Sequence, residues 1–198
     1  NYSMAEKQKA VAKKVSEDEM EKLLKNATAA LKGFTLTGDS QKKENFLKIW
    51  NENKKDEKFV EKLAKALNED ELLYSLRKAY KDYKGKDVTA IELIIEIETA
   101  HKELAKPSPN YASIESKFGS EFVSALLEGI SEAAFERLEK FVLTAEKQYK
   151  EGFLRIWEAH KHRNDFVQSL FADIKNEPKI YQLYGAYVEF IGQEVPPR

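Results

Sequence analysis

The sequence of 198 residues contains no cysteine. This absence excludes disulfide bonds, thiolate zinc sites and a cysteine nucleophile. The stability of the fold must therefore come from the packing of its hydrophobic residues, which make up 42% of the chain. A chain of this length forms one domain or two small ones.

Two further absences narrow the range of partners. No run approaches the ~20 apolar positions of a membrane helix, and the most apolar stretch, 90–99, is interrupted by glutamates. The formal net charge is only −1, although 34% of the residues are charged. A nearly neutral chain with both signs interspersed lacks the electrostatic attraction that nucleic acids and anionic membranes favour. We therefore expect neither nucleic acid nor a membrane as a partner.

Sequence motifs of catalysis are absent as well. The chain has no Gly-x-Ser-x-Gly motif and no glycine-rich phosphate loop. His160 and His162 are two residues apart, whereas zinc-binding histidines on a helix are three or four apart. We interpret this pair as part of a solvated polar face, and His101 as a surface residue or a satisfied hydrogen-bonding partner. The sequence predicts no enzyme activity, no metal and no cofactor.

The sequence does contain an apolar pattern that occurs twice. The segment FLKIW at 46–50 returns as FLRIW at 153–157, at an offset of 107 residues, and both tryptophans of the chain lie in this pair. The same offset aligns further aromatic residues: Phe59 with Phe166, Tyr74 with Tyr181, and Tyr80 with Tyr187. Because the repeated positions are apolar or aromatic while the charged positions differ, we infer an internally duplicated packing unit.

Apolar residues recur at helical spacing almost throughout, and no run alternates as a strand would. The sequence therefore predicts an all-α fold with two tandem bundles of three to four helices. We expect the first bundle over residues 15–86, a helical connector over 87–129 and the second bundle over 130–193.

Three further expectations concern individual helices. Gly33 is expected to end the first long helix, so that 33–40 forms a loop. One connector helix is expected over about 111–127. Because no glycine occurs between Ile130 and Glu151, the helix that begins near 130 is expected to run nearly unbroken into the Trp157 helix.

Each predicted bundle has a tryptophan on one helix and tyrosines on its last helix. Burial of such a side chain contributes roughly 2–3 kcal/mol, and favourable ring geometry adds about 1 kcal/mol. We therefore assign the repeated tryptophans and tyrosines to the structural core: Trp50, Tyr74, Tyr80, Trp157, Tyr181 and Tyr187.

This pattern resembles the WY domain of oomycete RXLR effectors. The shared order is Phe-x-x-x-Trp, then Phe-Val-x-x-Leu, then Tyr-x-Leu-x-x-x-Tyr, within a helical unit that occurs in tandem. It covers roughly 46–85 and 153–192, and the second unit is the more similar: Phe153, Trp157, Val167, Leu170, Pro178, Tyr181, Tyr187 and Phe190. The resemblance implies that Trp157 pairs with Tyr181 or Tyr187, and Trp50 with Tyr74 or Tyr80.

The resemblance also implies a function. A protein of this family is secreted by a pathogen, enters the plant cell and binds host proteins to suppress immunity, without catalysis. We expect a leader that this sequence does not include, and a partner surface where the repeats differ: 33–40, 87–127, and the faces around His160 and Tyr184.

Two alternatives stay open. Ile49-Trp50-Asn51 followed by Lys58-Phe59 is similar to the helical domain of exported PHIST proteins of malaria parasites. A helical carrier of a small apolar ligand is the other alternative, and its ligand would lie among the surplus apolar positions: Ile91, Ile94, Ile95, Phe141, Val142 and Leu143.

Overall fold

The computed structural model describes residues 16–191, except for the side chains at 187, 188, 190 and 191. Within that range all regular elements are α-helices, which confirms the predicted fold class. Their bounds are α1 Glu17–Thr37, α2 Ser40–Asn53, α3 Glu57–Glu69, α4 Glu71–Lys84, α5 Ala90–Leu104, α6 Tyr111–Phe118, α7 Ser120–Thr144, α8 Lys147–His160, α9 Asn164–Asn176 and α10 Pro178–Ile191. None of these helices, as far as they are described, is long and apolar enough to cross a membrane.

Several helices begin where a polar side chain satisfies the backbone. Asp56 accepts hydrogen bonds from the backbone N–H groups of Lys58 and Phe59 at the start of α3. Thr89 and Glu92 form a reciprocal capping box at the start of α5. Such caps satisfy N–H groups that have no partner within the helix, so these boundaries are encoded locally.

The first helix is longer than expected, because Gly33 does not end it. The backbone of α1 continues through Thr37, and the chain leaves the helix at Gly38, whose φ is 70°. Glycine adopts this left-handed conformation without steric cost. The prediction of a loop is therefore wrong for residues 33–37. Gly33 instead makes room for the Lys42 side chain, whose Cδ lies 2.6 Å from where a Cβ would stand.

Two other boundaries also differ from the prediction. The expected helix over 111–127 is interrupted at Gly119, which has a φ of 91° and leaves no space for a Cβ beside the Tyr83 ring. The expected continuous helix from 130 to Trp157 is interrupted at Ala145, which takes a left-handed φ of 56° and ends α7. Alanine accepts this conformation better than β-branched or bulky residues do, and a left-handed residue is a common way to end a helix.

The described chain divides into two compact units. The first unit comprises residues 16–34 and Asp39–Asp70, and the second comprises Thr35–Gly38 and residues 71–191. Helices α2 and α3 therefore belong to the first unit, whereas α4 to α10 belong to the second.

This division differs from the expected domains 15–86, 87–129 and 130–193. Helix α4, which was expected to complete the first bundle, packs against α7 and so contributes to the second unit. The expected connector and the expected second bundle likewise fall in one unit, because α7 runs through the boundary at 129 and 130. The outer limits, residues 15 and 193, lie outside the described residues.

The first unit buries one face of each of its helices. In α3 the apolar residues recur every four positions, as a helix with one inward face requires. The buried apolar residues of the unit are Met20, Ala27, Leu31, Phe34, Phe46, Phe59, Leu63 and Leu67. An ion pair between Lys32 and Asp70, at 3.5 Å, lies at the partly exposed edge. A surface pair of this kind contributes little, so burial of the apolar faces stabilises the unit.

Helix α7 is the centre of the second unit. It contacts α4, α6, α8 and α9, while α5 packs on α6 and α10 packs on α9. Nine of its residues between Phe122 and Ala134 are buried, which is typical of a helix that is surrounded by others. Its last turn, in contrast, is exposed at Val142 and Leu143.

Two segments of three helices share the same bounds at the offset of the sequence repeat. We call residues 40–84, with α2 to α4, the first three-helix segment, and residues 147–191, with α8 to α10, the second. Every helix bound in the first segment, moved by 107 residues, gives the matching bound in the second. The repeated sequence thus specifies the same three helices twice. That the segments arose by duplication stays a prediction.

The aromatic residues assigned to the core differ in burial. Trp157 is buried and stacks on Phe153, with 6.4 Å between ring centroids, and Tyr80 is buried with its edge towards Phe122. Trp50 is only half-buried. The assignment is wrong for Tyr74 and Tyr181, which are 47% and 45% exposed.

The exposure of these two tyrosines follows from helical geometry. Tyr74 comes directly after the buried Leu73, and Tyr181 directly after the buried Ile180. Neighbouring side chains on a helix point about 100° apart, so each tyrosine faces away from the core. Tyr181 stacks on Tyr184, with 6.4 Å between ring centroids. The side chain of Tyr187, the other residue proposed to pair with Trp157, lies outside the described set.

Candidate functional site

A pocket of about 200 Å³ lies within the second unit. It is lined by the segment at 36–37 and by residues of α5, α7 and α8. Its ionisable lining residues are two arginines and two histidines: His101, Arg137, Arg155 and His160. Thr37 is a further polar residue of the wall. The remaining wall is mainly apolar and includes Leu104, Ile130 and Ile156. Within the described chain, no aspartate or glutamate lines this pocket.

His101 is held by a backbone carbonyl. Its Nε2 lies 2.6 Å from the Thr35 carbonyl oxygen, and because a carbonyl only accepts, Nε2 must carry the proton. Burial lowers the pKa of His101, so the imidazole is neutral at pH 7. The ring lies against Gly38, where a Cβ would stand 3.1 Å from Cγ. Of the two roles considered for His101, the structure shows the satisfied hydrogen-bonding partner.

His160 is buried, so its interpretation as part of a solvated face is wrong. It follows Phe153 and Trp157 at helical spacing, and these three residues therefore share the inward face of α8. Its ring centroid lies 5.4 Å from that of Phe166. His162, two residues later, is exposed as expected. In the described part of the chain, no three histidines, aspartates or glutamates come together as a metal site.

The hydroxyl of Tyr111 joins His160 to the backbone. It lies 2.6 Å from Nδ1 of His160 and donates to the Ala159 carbonyl at 3.0 Å. Because a hydroxyl has one proton and the carbonyl only accepts, both contacts are satisfied when Nδ1 of His160 donates to the hydroxyl. Burial raises the pKa of Tyr111 to about 12. Burial also lowers the pKa of His160 to about 4, and the positive charges nearby add to this effect. Both groups are neutral at pH 7.

An ion-pair network holds Tyr111 in place. Arg163 donates to both carboxylate oxygens of Asp165, at 2.8 and 3.2 Å, and also to Glu115. Its guanidinium lies 4.9 Å from the centroid of the Tyr111 ring, which is a cation–π distance. Burial alone would raise the pKa of Asp165, but the hydrogen bonds and charge of Arg163 outweigh it and hold this pKa below its ordinary value. Tyr111 is therefore held at its hydroxyl by His160 and Ala159 and at its ring by Arg163.

Arg137 crosses the pocket wall beside Gly152. Its Nη1 donates to the Ala133 carbonyl at 3.1 Å, and a Cβ at position 152 would stand 2.8 Å from Arg137 Cδ. Gly152 therefore permits this position of the arginine. Burial lowers the pKa of Arg137, and the charge of Arg155 lowers it further, although an arginine stays charged at any ordinary pH. The pocket thus presents two guanidinium charges and two neutral imidazoles.

The pocket brings together residues that the sequence interpretation had treated separately. His101 and His160 both line it, and it includes the segment at 36–37. Arg137, Gly152 and Tyr111 were not predicted. For His160 a signal was present, since its spacing from Trp157 places both on one helical face. For the others, only the tertiary packing reveals the role.

Comparison of the chain with models of protein families, with curated proteins and with solved structures finds no match in any of the three. The function is therefore inferred from the residues themselves.

Proposed function

We propose that this protein is a secreted pathogen effector that binds host proteins without catalysis and thereby suppresses plant immunity. The observation that supports a protein-binding role is the outer face of α10. Leu183 is 54% exposed there and Ala186 is also exposed, whereas the corresponding residues of α4, Leu76 and Ala79, are buried, Leu76 completely. Helix α4 packs against α7. The same two helical positions are thus buried in the first segment and exposed in the second.

The surroundings of α4 indicate what kind of partner would fit the exposed positions of α10. In α4 the buried positions 76 and 79 are one turn apart and face another helix. Leu183 and Ala186 have the same spacing on α10, so the proposed occupant is an amphipathic helix of a host protein. Tyr181 and Tyr184 stack nearby on α10, and Phe171 meets Tyr184 edge-on with 5.5 Å between centroids. Tyr181 is exposed and Tyr184 is half-buried, and tyrosine is enriched at protein interfaces.

The experiment replaces one exposed leucine on α10 and, as the control, one exposed leucine on α7. Leu183→Asp introduces a charge on the proposed surface, and Leu143→Asp introduces the same charge at a leucine that is 68% exposed on the last turn of α7. Both variants should melt like the wild type. We expect the wild type and Leu143→Asp to capture the same protein from plant extract and to reduce the oxidative burst that a flagellin peptide elicits in leaves. Leu183→Asp should do neither.

Three outcomes would count against the proposal. Capture of the same protein by Leu183→Asp would exclude the α10 face. An unchanged oxidative burst with the wild type would exclude the suppression of immunity. A concentration-dependent dimer in light scattering that Leu183→Asp abolishes would show that a second copy of the chain covers this face.

One observation favours a second candidate, a carrier of a small apolar ligand. The pocket has an apolar wall that includes Leu104, Ile130 and Ile156, and none of the six apolar positions that were expected to line a ligand site contributes to it. Its volume of about 200 Å³ lies below the ~300–1,000 Å³ of pockets for drug-sized ligands, which excludes a long lipid chain. Native mass spectrometry that detects only bare polypeptide, together with no binding of a small neutral fluorophore, would dismiss this candidate.

A further inference from the structure

The pocket of the second unit combines positive charge with apolar surface. Arg137 and Arg155 both line it, the latter on α8 and the former on α7. These two charges are close enough that Arg155 lowers the pKa of Arg137. Glu136, which is exposed and does not line the pocket, raises this pKa by more than Arg155 lowers it. Since no carboxylate of the described chain lines the pocket, the charge that faces the cavity is positive and favours an anion from solution.

The other polar groups of the pocket do not add charge. His101 gives its Nε2 proton to Thr35, and Nδ1 of His160 is engaged by Tyr111. Both imidazoles are neutral at pH 7, because burial lowers the pKa of each. The charge of the pocket is therefore that of its two guanidinium groups. Planar guanidinium groups bind the two oxygens of a carboxylate in a paired geometry.

The remaining wall selects for an organic anion. Apolar side chains such as Leu36, Leu104 and Ile156 lie in the same pocket as the arginines, and an inorganic anion would leave this surface without a partner. The volume of about 200 Å³ limits the organic part to a short chain or a single ring. We propose that the pocket binds a small organic monocarboxylate, with its carboxylate at Arg137 and Arg155 and its apolar part against the apolar side chains of the wall. This proposal is independent of the α10 surface.

The test compares carboxylates that have both an apolar part and a negative charge with ligands that have only one of these two properties. Isothermal titration of the full chain, in a buffer low in chloride, uses benzoate and hexanoate as probes, benzyl alcohol as the neutral analogue and inorganic phosphate as the purely polar anion. We expect saturable one-to-one binding of at least one carboxylate, and at least tenfold weaker binding of benzyl alcohol and phosphate.

Three variants locate the site. Arg137→Gln should lower the affinity for the carboxylate at least tenfold. Arg155→Gln should lower it several-fold, because Arg155 is the more exposed of the two arginines. Gly152→Ala removes no charge but forces the Arg137 side chain to move, and should also weaken binding. Lys150→Gln is the matched control, since it removes an exposed positive charge from α8 outside the pocket lining, and its affinity should equal that of the wild type.

Each contrary result has a definite meaning. Phosphate binding as tightly as benzoate would reduce the pocket to a general anion site and overturn the proposal. Benzyl alcohol binding as tightly as benzoate would show that the arginines contribute nothing to the affinity and would overturn the proposal. No heat with either carboxylate, or equal weakening by Lys150→Gln and Arg137→Gln, would also overturn it. Circular dichroism melting of every variant distinguishes a lost site from a lost fold.

Discussion

The two three-helix segments have the same helix bounds but bury their last helices differently. In the first segment α4 packs against α7, and Leu76, Ala79 and Tyr80 are buried there. In the second segment α10 packs on α9, and its outer face with Leu183 is exposed. The first two helices of each segment are more alike in burial, since Phe46 and Phe59 are buried in the first segment as Phe153 and Phe166 are in the second. Helix bounds and inner faces are thus repeated, whereas the covering of the last helix depends on which neighbour is available.

The segments also differ in the residue that ends their first helix. His160 of α8 corresponds to Asn53 of α2 at the repeat offset. The side chain of Asn53 donates to the Ile49 carbonyl of its own helix, at 2.9 Å, whereas the side chain of His160 bonds Tyr111 from another helix and lines the pocket. The position at which the first segment has Asn53 and the second has His160 is therefore also a position that lines the pocket.

The largest expected effect concerns the repeated tryptophans. Trp157 is 5% exposed whereas Trp50 is half-buried, so truncation should cost more in the second segment. We expect Trp157→Ala to lower the free energy of unfolding by about 4 kcal/mol and Trp50→Ala by about 2 kcal/mol. Urea titrations followed by circular dichroism measure both. Near-normal melting of Trp157→Ala would contradict the role of this side chain in the core.

A second comparison uses the two leucines of the last helices. Leu76→Ala should destabilise by about 3 kcal/mol, because it leaves a cavity between α4 and its neighbours. Leu183→Ala should change the free energy of unfolding by less than about 0.5 kcal/mol, because an exposed side chain loses little on truncation. Thermal melting of the two variants in parallel tests this. Equal destabilisation would mean that the face of α10 is covered in solution.

The third prediction concerns pH. His160 titrates at about 4 in the folded chain instead of 6.5, so the unfolded chain binds more protons between these values. Stability contributed by neutral His160 is complete above pH 6.5 and decreases as the pH falls towards 4. From pH 7 to pH 5 the expected loss is about 2 kcal/mol.

The matched variant is His160→Asn, which places the residue of the first segment at this position. Urea midpoints at pH 7 and pH 5 should show a smaller decrease for the variant than for the wild type. His101, Arg163 and Asp165 are present in both proteins, so the difference between the two pH dependences reports His160 together with its interactions with these groups. A pH dependence that is identical in the two would contradict the low pKa of His160.

The smallest expected effect concerns the start of α3. Asp56 caps this helix, whereas the corresponding residue of the second segment, Arg163, makes no side-chain cap. Asp56→Ala should lower the free energy of unfolding by about 1 kcal/mol, and Asp56→Asn, which keeps a side-chain acceptor, by much less. A loss of equal size in both variants would show that charge and not the cap is responsible.

Much of the local structure could be predicted from the sequence. The fold class and the inward positions of α3 and α9 follow from helical periodicity, and helix starts follow from capping residues such as Thr89. The errors arise where a glycine or an alanine has two possible conformations. Gly33 lies inside a helix, where the Lys42 side chain packs over it, while Gly119 interrupts the chain between two helices, where Tyr83 occupies the space of a side chain. Those neighbours are set by tertiary packing, which a local pattern does not contain.

The candidate site was less predictable than the fold. Helical spacing could have placed His160 on the face of Trp157, but nothing in a single sequence shows that His101 and Arg137 approach the same pocket. Periodicity fixes which face of a helix is buried. It does not fix which other helix covers that face, as the different surroundings of α4 and α10 show.

The hydrogen bonds around the pocket join distant parts of the chain. Thr35 and His101 are 66 residues apart, and Tyr111 and His160 are 49 apart. Contacts of such separation close long loops and form late in folding. Because synthesis runs from the N-terminus, Thr35 is made before His101 and Tyr111 before His160. Neither contact can form until its histidine has followed. Fragments that end before residue 160 therefore cannot assemble this pocket, whatever helices they form.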